Sequence, residues 1–318
     1  MKVVVTGGAG FIGANVCREL LRRPGYEVVV LDNLSTGKQA NLAGLDVELR
    51  TGSVLDPRAV AGACAGADSI VHLAAAPAGS RSADHPRAGQ DPNVTGTLTV
   101  LDAAREIGAH VVVASSSSVY GRNPVLPRTE DLACLPNCPD AAGKLAVESY
   151  VAAYQSSFGL ASCVFRLFNV FGPLQVPNHP DAGVVPSFVF NALHGMPLVI
   201  HGDGAQSRDF TFVGTVAEIL AEAVVVRTTR ALPVNLAYGT PATVNEVVTA
   251  LSELLGRRPE VRHRPPRPGD VKHSQAAPGA LSALFPQIRP VTFPHGLLRT
   301  ISWMESRFVS VPGTEVPA

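Results

Sequence analysis

The sequence predicts an α/β protein: a doubly wound parallel sheet with a smaller C-terminal substrate lobe. Three observations carry that prediction. Over the first 165 residues, short runs rich in valine and other β-branched residues alternate with amphipathic stretches, which is the pattern of βαβ units. The first of these runs leads directly into a glycine-rich turn. From about Asn169 the texture changes to Pro- and Gly-rich segments interleaved with short helices.

In chain order, strands are expected at 2–6, 27–31, 47–52, 69–73, 110–115 and 162–167. Most are short apolar, β-branched runs, as strands covered on both faces require. Helical periodicity at 11–22, 58–65, 93–107 and 141–158 supplies the crossovers, placing helices on both faces of the sheet. These elements make a first domain over 1–168. A strand at 234–237 and a helix at 244–255 are expected to return to it, so that 211–250 belongs with the first domain. The lobe, read as built largely from loops, then comprises 169–210 and 251–308, and 309–318 is a frayed tail.

The turn after the first strand reads Gly7-Gly8-Ala9-Gly10-Phe11-Ile12-Gly13 and opens a helix, and Asp32 follows nineteen residues after Gly13 at the end of the second strand. Strand, glycine turn, helix and acid together form the dinucleotide-binding (Rossmann) fingerprint. Glycines let the backbone approach a pyrophosphate, whose charge rests on the unpaired N–H groups of the helix start. Asp32 accepts from the adenosine ribose hydroxyls and repels a 2′-phosphate, which makes NAD the expected cofactor.

Composition narrows the partners. With 318 residues and 46% hydrophobic side chains, the chain buries a full core without disulfide staples. Twenty-six basic side chains balance 26 acidic ones, which leaves no electrostatic footprint for nucleic acid. No apolar run approaches the ~20 residues that span a bilayer, and the start lacks the apolar core of a signal peptide. No membrane partner and a cytoplasmic location are therefore expected. The five cysteines, Cys17, Cys64, Cys134, Cys138 and Cys163, show no zinc-type pair of pairs, and no metal is expected.

The motifs at 6–13, His72-Leu73-Ala74-Ala75, Asn93-Val94-Thr95-Gly96-Thr97, 115–121, 166–172, 202–210 and 267–270 give the chain a resemblance to the extended short-chain dehydrogenase/reductase family. More narrowly, it resembles the NAD-dependent UDP-sugar 4-epimerases and their decarboxylase relatives, from residue 1 to about 305. What the resemblance implies is NAD bound by Gly7, Gly10, Phe11, Ile12, Gly13, Asp32, Asn33, Ser53, Val54, Leu73, Ala74, Ala75, Asn93 and Lys144. Ser53 stands where relatives carry an acid for the adenine amino group. The implied substrate is a UDP-sugar, its diphosphate met by Asn169, Arg208 and Arg267, its ribose by Asp270, and its base by the segment around Val185. Two guanidinium forks suit a dianionic pyrophosphate. A homodimer joined by the helices at 93–107 and 141–158 is also implied.

The implied catalytic set is Ser116, Asp140 and Lys144. Ser116 matches the hydroxyl that bonds the reacting oxygen, and Lys144 matches the lysine of the nicotinamide ribose. Asp140 occupies the position of the family's catalytic tyrosine. An ordinary carboxylate, with a pKa near ~3.9, is a weak base for an alcohol. Direct replacement is expected to cost rate, so Asp140 acts through a water, or Ser116 relays the proton with another group, or the redox chemistry has been lost; Asp140 after Pro139 also fits a helix N-cap. Tyr120 is the nearest other tyrosine and matches a structural position. Dehydratases carry Thr-Asp-Glu where this chain has Ser116, Ser117 and Ser118, so elimination of water is disfavoured. The leading expectation is a UDP-sugar 4-epimerase working through a transient 4-keto sugar. A UDP-glucuronate decarboxylase or another 4-keto-sugar enzyme, and a catalytically silent NAD- and UDP-sugar-binding protein, stand as alternatives.

Overall fold

A computed structural model describes residues 1–76, 90–177, 182–266 and 271–308. Seven strands form one parallel sheet: β1 (Lys2–Thr6), β2 (Glu27–Asp32), β3 (Val47–Thr51), β4 (Ser69–His72), β5 (His110–Ser116), β6 (Ser162–Leu167) and β11 (Val234–Leu236). Their order is β11-β6-β5-β4-β1-β2-β3, with β1 in register against both β2 (Val4 opposite Val29) and β4 (Val4 opposite Ile70). Chain direction across the sheet therefore reverses between β1 and β4, and a crevice opens there at the C-terminal strand ends.

The valine-rich strands are explained by burial on both faces. Val3, Val5, Val28, Val30, Val71 and Val112 face one layer, containing α1 (Phe11–Leu21) and α6 (Val213–Val225). Their neighbours Val4, Val29, Ile70, Val111 and Val113 face the other, containing α2 (Pro57–Cys64), α3 (Gly96–Ile107) and α4 (Pro139–Phe158). Asp56 caps α2 by accepting from the Arg58 N–H at 2.9 Å, with Pro57 at the first helical position. A π-helical turn, Asp91–Thr95, precedes α3. Helix α4 starts two residues earlier than its periodicity suggests: Cys138 is the N-cap, and Asp140 lies within the first turn instead of capping it.

A third core makes the lobe. Phe171, Val185, Phe188, Val189, Leu198, Ile200 and Phe212 pack with Leu297, Ile301 and Met304 of the helix α9 (Phe293–Phe308). The lobe is less loop-like than its texture suggests, because short strands pair across long separations. β7 (Val170–Phe171) pairs with β10 (Thr211–Phe212), β8 (Leu198–His201) with β13 (Val261–Arg264), and β9 (Ser207–Asp209) with β12 (Pro241–Thr243). Two packing assignments differ from the sequence expectation. Helix α7 (Val244–Leu255) buries Val244, Val247 and Leu251 in the lobe core and not against the first domain. Conversely, α8 (Gly279–Leu284) and the residues after it return to the large sheet, with Leu281, Phe285 and Ile288 in its core and the Phe285 ring 6.2 Å from Phe165. Among the described residues no helix is long and apolar enough to cross a membrane.

His72 is buried at the end of β4 between Thr6 and Thr97, its ring nitrogens 2.7 and 2.9 Å from their hydroxyl oxygens. Burial, helped by the Lys144 charge, pushes its pKa down to about 3. Burial also lowers that of His110. Below the ordinary histidine pKa near ~6.5 the unfolded chain binds protons that these two folded rings refuse, so stability falls with pH from about 7 downwards. Melting temperature is expected to drop between about pH 7 and pH 5, and His72→Gln is expected to make that slope shallower. An unchanged slope would show that the folded protein accommodates the charged ring.

Candidate active site

The crevice at the strand reversal is a cleft of about 770 Å³. Its floor is the turn between β1 and α1. Gly7 sits at φ +71°, and a Cβ there would come within 2.7 Å of the Ala74 backbone nitrogen. A Cβ on Gly13 would come within 2.7 Å of the Gly8 Cα. Both positions need a residue without a side chain, and the result is bare backbone at the start of α1, whose first-turn N–H groups have no acceptor inside the helix.

Asp32 closes one end. It is buried, and its carboxylate accepts from the Ala9 N–H at 3.0 Å and the Leu34 N–H at 2.8 Å. One oxygen thus ties the glycine turn and the other ties the segment after β2, which leaves lone pairs for a ribose diol. Asn33, Ser53 and Val54 line the same end, Gly10, Phe11 and Ile12 the floor, and Leu73, Ala74 and Ala75 the wall beyond β4. The Ala74 N–H donates to the Thr6 hydroxyl at 3.3 Å, holding that wall to β1. At the far end the cleft reaches Lys144 and Ser115. The sequence-predicted cofactor residues therefore share one cavity, with one exception. Asn93 lies behind it, 3% exposed, its side-chain oxygen accepting from the Ala76 N–H at 2.7 Å and its amide donating to Asp140 Oδ1 at 3.3 Å.

That amide brings Asp140 to the Lys144 end. Burial raises the carboxyl pKa of Asp140, against the opposing pull of the Lys144 charge and the Asn93 hydrogen bond. Burial lowers the pKa of Lys144, one helical turn later, and the Asp140 charge resists this. Both charged forms are thus disfavoured by burial and supported by each other. Ser116 ends β5 opposite Leu167, and its hydroxyl oxygen accepts from the Ser118 N–H at 3.1 Å. Tyr120 is fully buried, its hydroxyl donating to Asn235 at 2.7 Å and accepting from Arg166 at 2.9 Å, and burial raises its pKa. It belongs to the interior and not to the cleft.

On the lobe side, Val185 is buried in the first turn of α5 (Val184–Leu193), and Asn169 is exposed, its carbonyl accepting from the Thr211 N–H at 3.0 Å. Arg208 on β9 donates to the Ser207 carbonyl at 2.9 Å and the Lys272 carbonyl at 3.4 Å. These three, with Ser116 and Asp140, stand outside the cleft lining. Arg267 and Asp270 lie outside the described residues. The cleft is also lined by Ser35, Thr36, Ser115 and Gln175, which sequence reasoning did not assign to it. Ser35 and Thr36 directly follow Asn33-Leu34 and were within reach of the fingerprint; Gln175 comes from the lobe, where no local pattern marks it. Its buried Oε1 has no hydrogen-bond partner among the described residues. Among the described residues no group of three or more His, Cys, Asp or Glu side chains is placed to hold a metal ion.

Residues 3–231 match the model of the NAD dependent epimerase/dehydratase family. A UDP-glucose 4-epimerase of Mycolicibacterium smegmatis is 33% identical over 96% of this chain and 99% of its own length. Among solved structures, the UDP-N-acetylglucosamine 4-epimerase from Methanobrevibacter ruminantium, in complex with UDP-N-acetylmuramic acid, superposes with a TM-score of 0.91 at 33% identity, covering 96% of this chain and 98% of that one. The Thermus thermophilus UDP-glucose 4-epimerase complex with NAD superposes with a TM-score of 0.87 at 36% identity, covering 96% and 100%.

Removing the Asp32 carboxylate takes an acceptor from the cleft and leaves two N–H groups without their partner. Asp32→Ala is expected to weaken NAD binding about 10-fold or more, the scale of a charge-assisted hydrogen bond, read by titration of intrinsic fluorescence. Equal affinity in the variant would place the ribose elsewhere.

Proposed function

We propose, from the premise that this chain belongs to the NAD dependent epimerase/dehydratase family, that it interconverts UDP-sugars epimeric at C4 through a transient 4-keto sugar. The observation that carries the reading is the single cleft that gathers the glycine turn and Asp32 at one end and Lys144, beside Asp140, at the other. NAD, held along this cleft, supplies the acceptor and then the donor of the C4 hydride. The bare backbone of the glycine turn and the Asp32 carboxylate suit its pyrophosphate and adenosine ribose.

The chain's own residues then have the following work. Lys144 fixes the nicotinamide ribose. Asp140 takes the 4-hydroxyl proton as the C4–H bond breaks and returns it after the sugar has turned its other face. Its raised pKa brings the carboxyl closer to the operating pH than an ordinary aspartate, which suits a group that must both accept and give a proton. The Ser116 hydroxyl steadies the reacting oxygen, while Asn169, Arg208 and Arg267 hold the diphosphate and Asp270 the ribose of the UDP moiety. The backbone around Val185 receives the base. A homodimer through α3 and α4 is supported by Ile107, Tyr150 and Phe158, large apolar side chains exposed on those helices.

A second reading, a silent binder of the same ligands, is favoured by one observation: the carboxylate beside Lys144 is already engaged by Asn93. Anomeric-proton NMR of the protein with NAD and, separately, UDP-glucose, UDP-N-acetylglucosamine and UDP-glucuronate distinguishes the readings. A 4-epimer signal is the expected result. Loss of the C6 carboxylate would make the protein a decarboxylase, and silence alongside measured binding would make it a binder.

Asp140→Asn is expected to lower kcat by about 100-fold or more, the scale of general acid–base catalysis, and to remove the acidic limb of the pH profile while NAD stays bound. Lys144→Ala is expected instead to weaken NAD retention. Asp140→Tyr separates two versions of the reading: a faster enzyme marks a degraded site, and a slower one marks a mechanism built on the aspartate.

A further inference from the structure

A second pocket, of about 380 Å³, is lined by the segment that follows β5 and by Val271, Lys272 and His273, and shares no described lining residue with the cofactor cleft. Arg128 lines it, and its backbone is fixed by three hydrogen bonds: its N–H donates to Gln275, and its carbonyl accepts from Ala277 and from the Asn235 amide. The residue is 4% exposed. Its guanidinium carbon lies 5.3 Å from the centroid of the Tyr120 ring, and its buried Nε has no acceptor among the described residues.

A second buried arginine, Arg166, lies 4.7 Å from the same ring and is neutralised by Glu148 through a 2.8 Å ion pair. Arg128 has no such carboxylate among the described residues. A buried guanidinium without a counterion among the described residues is costly, and a bound anion in the pocket that Arg128 lines would supply one. The other cations there, Arg122 and Lys272, are exposed at its mouth. No described lining residue is acidic, and Pro124, Leu126 and Val271 add an apolar wall.

We propose that this pocket binds a phosphate monoester, with its phosphate on the Arg128 guanidinium and its organic part against the apolar wall. A planar fork of donors joined by two further cations matches a dianion better than a single carboxylate. The volume is at the lower end of the range for small-molecule sites and exceeds what a bare phosphate fills. The proposal stands independently of the reaction assigned to the cofactor cleft.

Calorimetric titration of the NAD-loaded full chain with glucose 1-phosphate, inorganic phosphate and glucose, each with saturating UDP present, tests it. Expected are saturable binding of glucose 1-phosphate, weaker binding of inorganic phosphate and none of glucose. Arg128→Met is expected to weaken the first about 10-fold or more, whereas Arg208→Met leaves it within about 2-fold because that arginine is outside the pocket. Should Arg128→Met fail to fold, Lys272→Met at the exposed mouth is expected to weaken binding about 3-fold, the scale of a partly screened surface charge. Binding that Lys272→Met and Arg128→Met leave untouched, binding lost in Arg208→Met, or no saturable binding of glucose 1-phosphate overturns the proposal. Inorganic phosphate binding as tightly as the ester would overturn the monoester assignment and leave a site for the free ion.

Discussion

The buried pair of Arg166 and Glu148 holds the Lys144 end of the cleft together. Both side chains are 5% exposed, and they meet twice, Nη2 to Oε2 at 2.8 Å and Nε to Oε1 at 3.0 Å. Ser115 donates to the same carboxylate, while Arg166 also reaches the Tyr120 hydroxyl and the Glu130 carbonyl. One network therefore joins β5, β6, α4 and the segment after β5. Charges so far from water are tolerated only when their hydrogen bonds are complete; removing one partner from such a pair costs about 3–5 kcal/mol. Glu148 follows Lys144 by four residues, and Lys144 follows Asp140 by four. At that spacing the three lie along one stripe of α4, so the anchor that fixes the helix also fixes the height and rotation of Lys144 in the cleft lining and of Asp140 one turn before it.

The other end of the cleft is set by packing between cores. Ile12, in the first turn of α1, touches both the core of the large sheet and that of the lobe, and Phe11 packs against the lobe. The glycine turn thus lies at the seam where the two bodies meet. A ligand held there has the sheet's strand ends below it and the lobe beside it, which is the geometry needed to align a long cofactor with a second, separate ligand.

The large sheet was legible because its strands, apart from the edge strand β3, are buried on both faces: a run such as Val3-Val4-Val5 carries its signal within five residues. The Asp32 end of the cleft was legible for a related reason, since the turn, the helix and the acid are local in sequence. The lobe was not, because β7, β9, β10 and β12 are two or three residues long and find their partners 30 or more residues away. Helix α7 shows a limit of a different kind. Its periodicity announces a helix with one apolar face, but periodicity does not name the core that receives that face. Asn93 shows the same limit for a polar group: its motif places it near the cleft, while the hydrogen bonds that turn it toward Ala76 and Asp140 arise only once distant segments have met.

Strand β11 is the last strand of the sheet to be made, and it pairs with β6 alone. On the ribosome, β6 must therefore wait with an open edge while residues 168–233 are synthesised. At roughly 5–20 residues per second this wait lasts on the order of several seconds. Over that interval the nascent chain displays an unpaired row of peptide groups beside a largely apolar strand, the surface that neighbouring chains most readily extend into aggregates. The edge strand that completes the folded sheet thus makes the yield of this protein in a cell depend on how fast, and how well guarded, the stretch between β6 and β11 emerges.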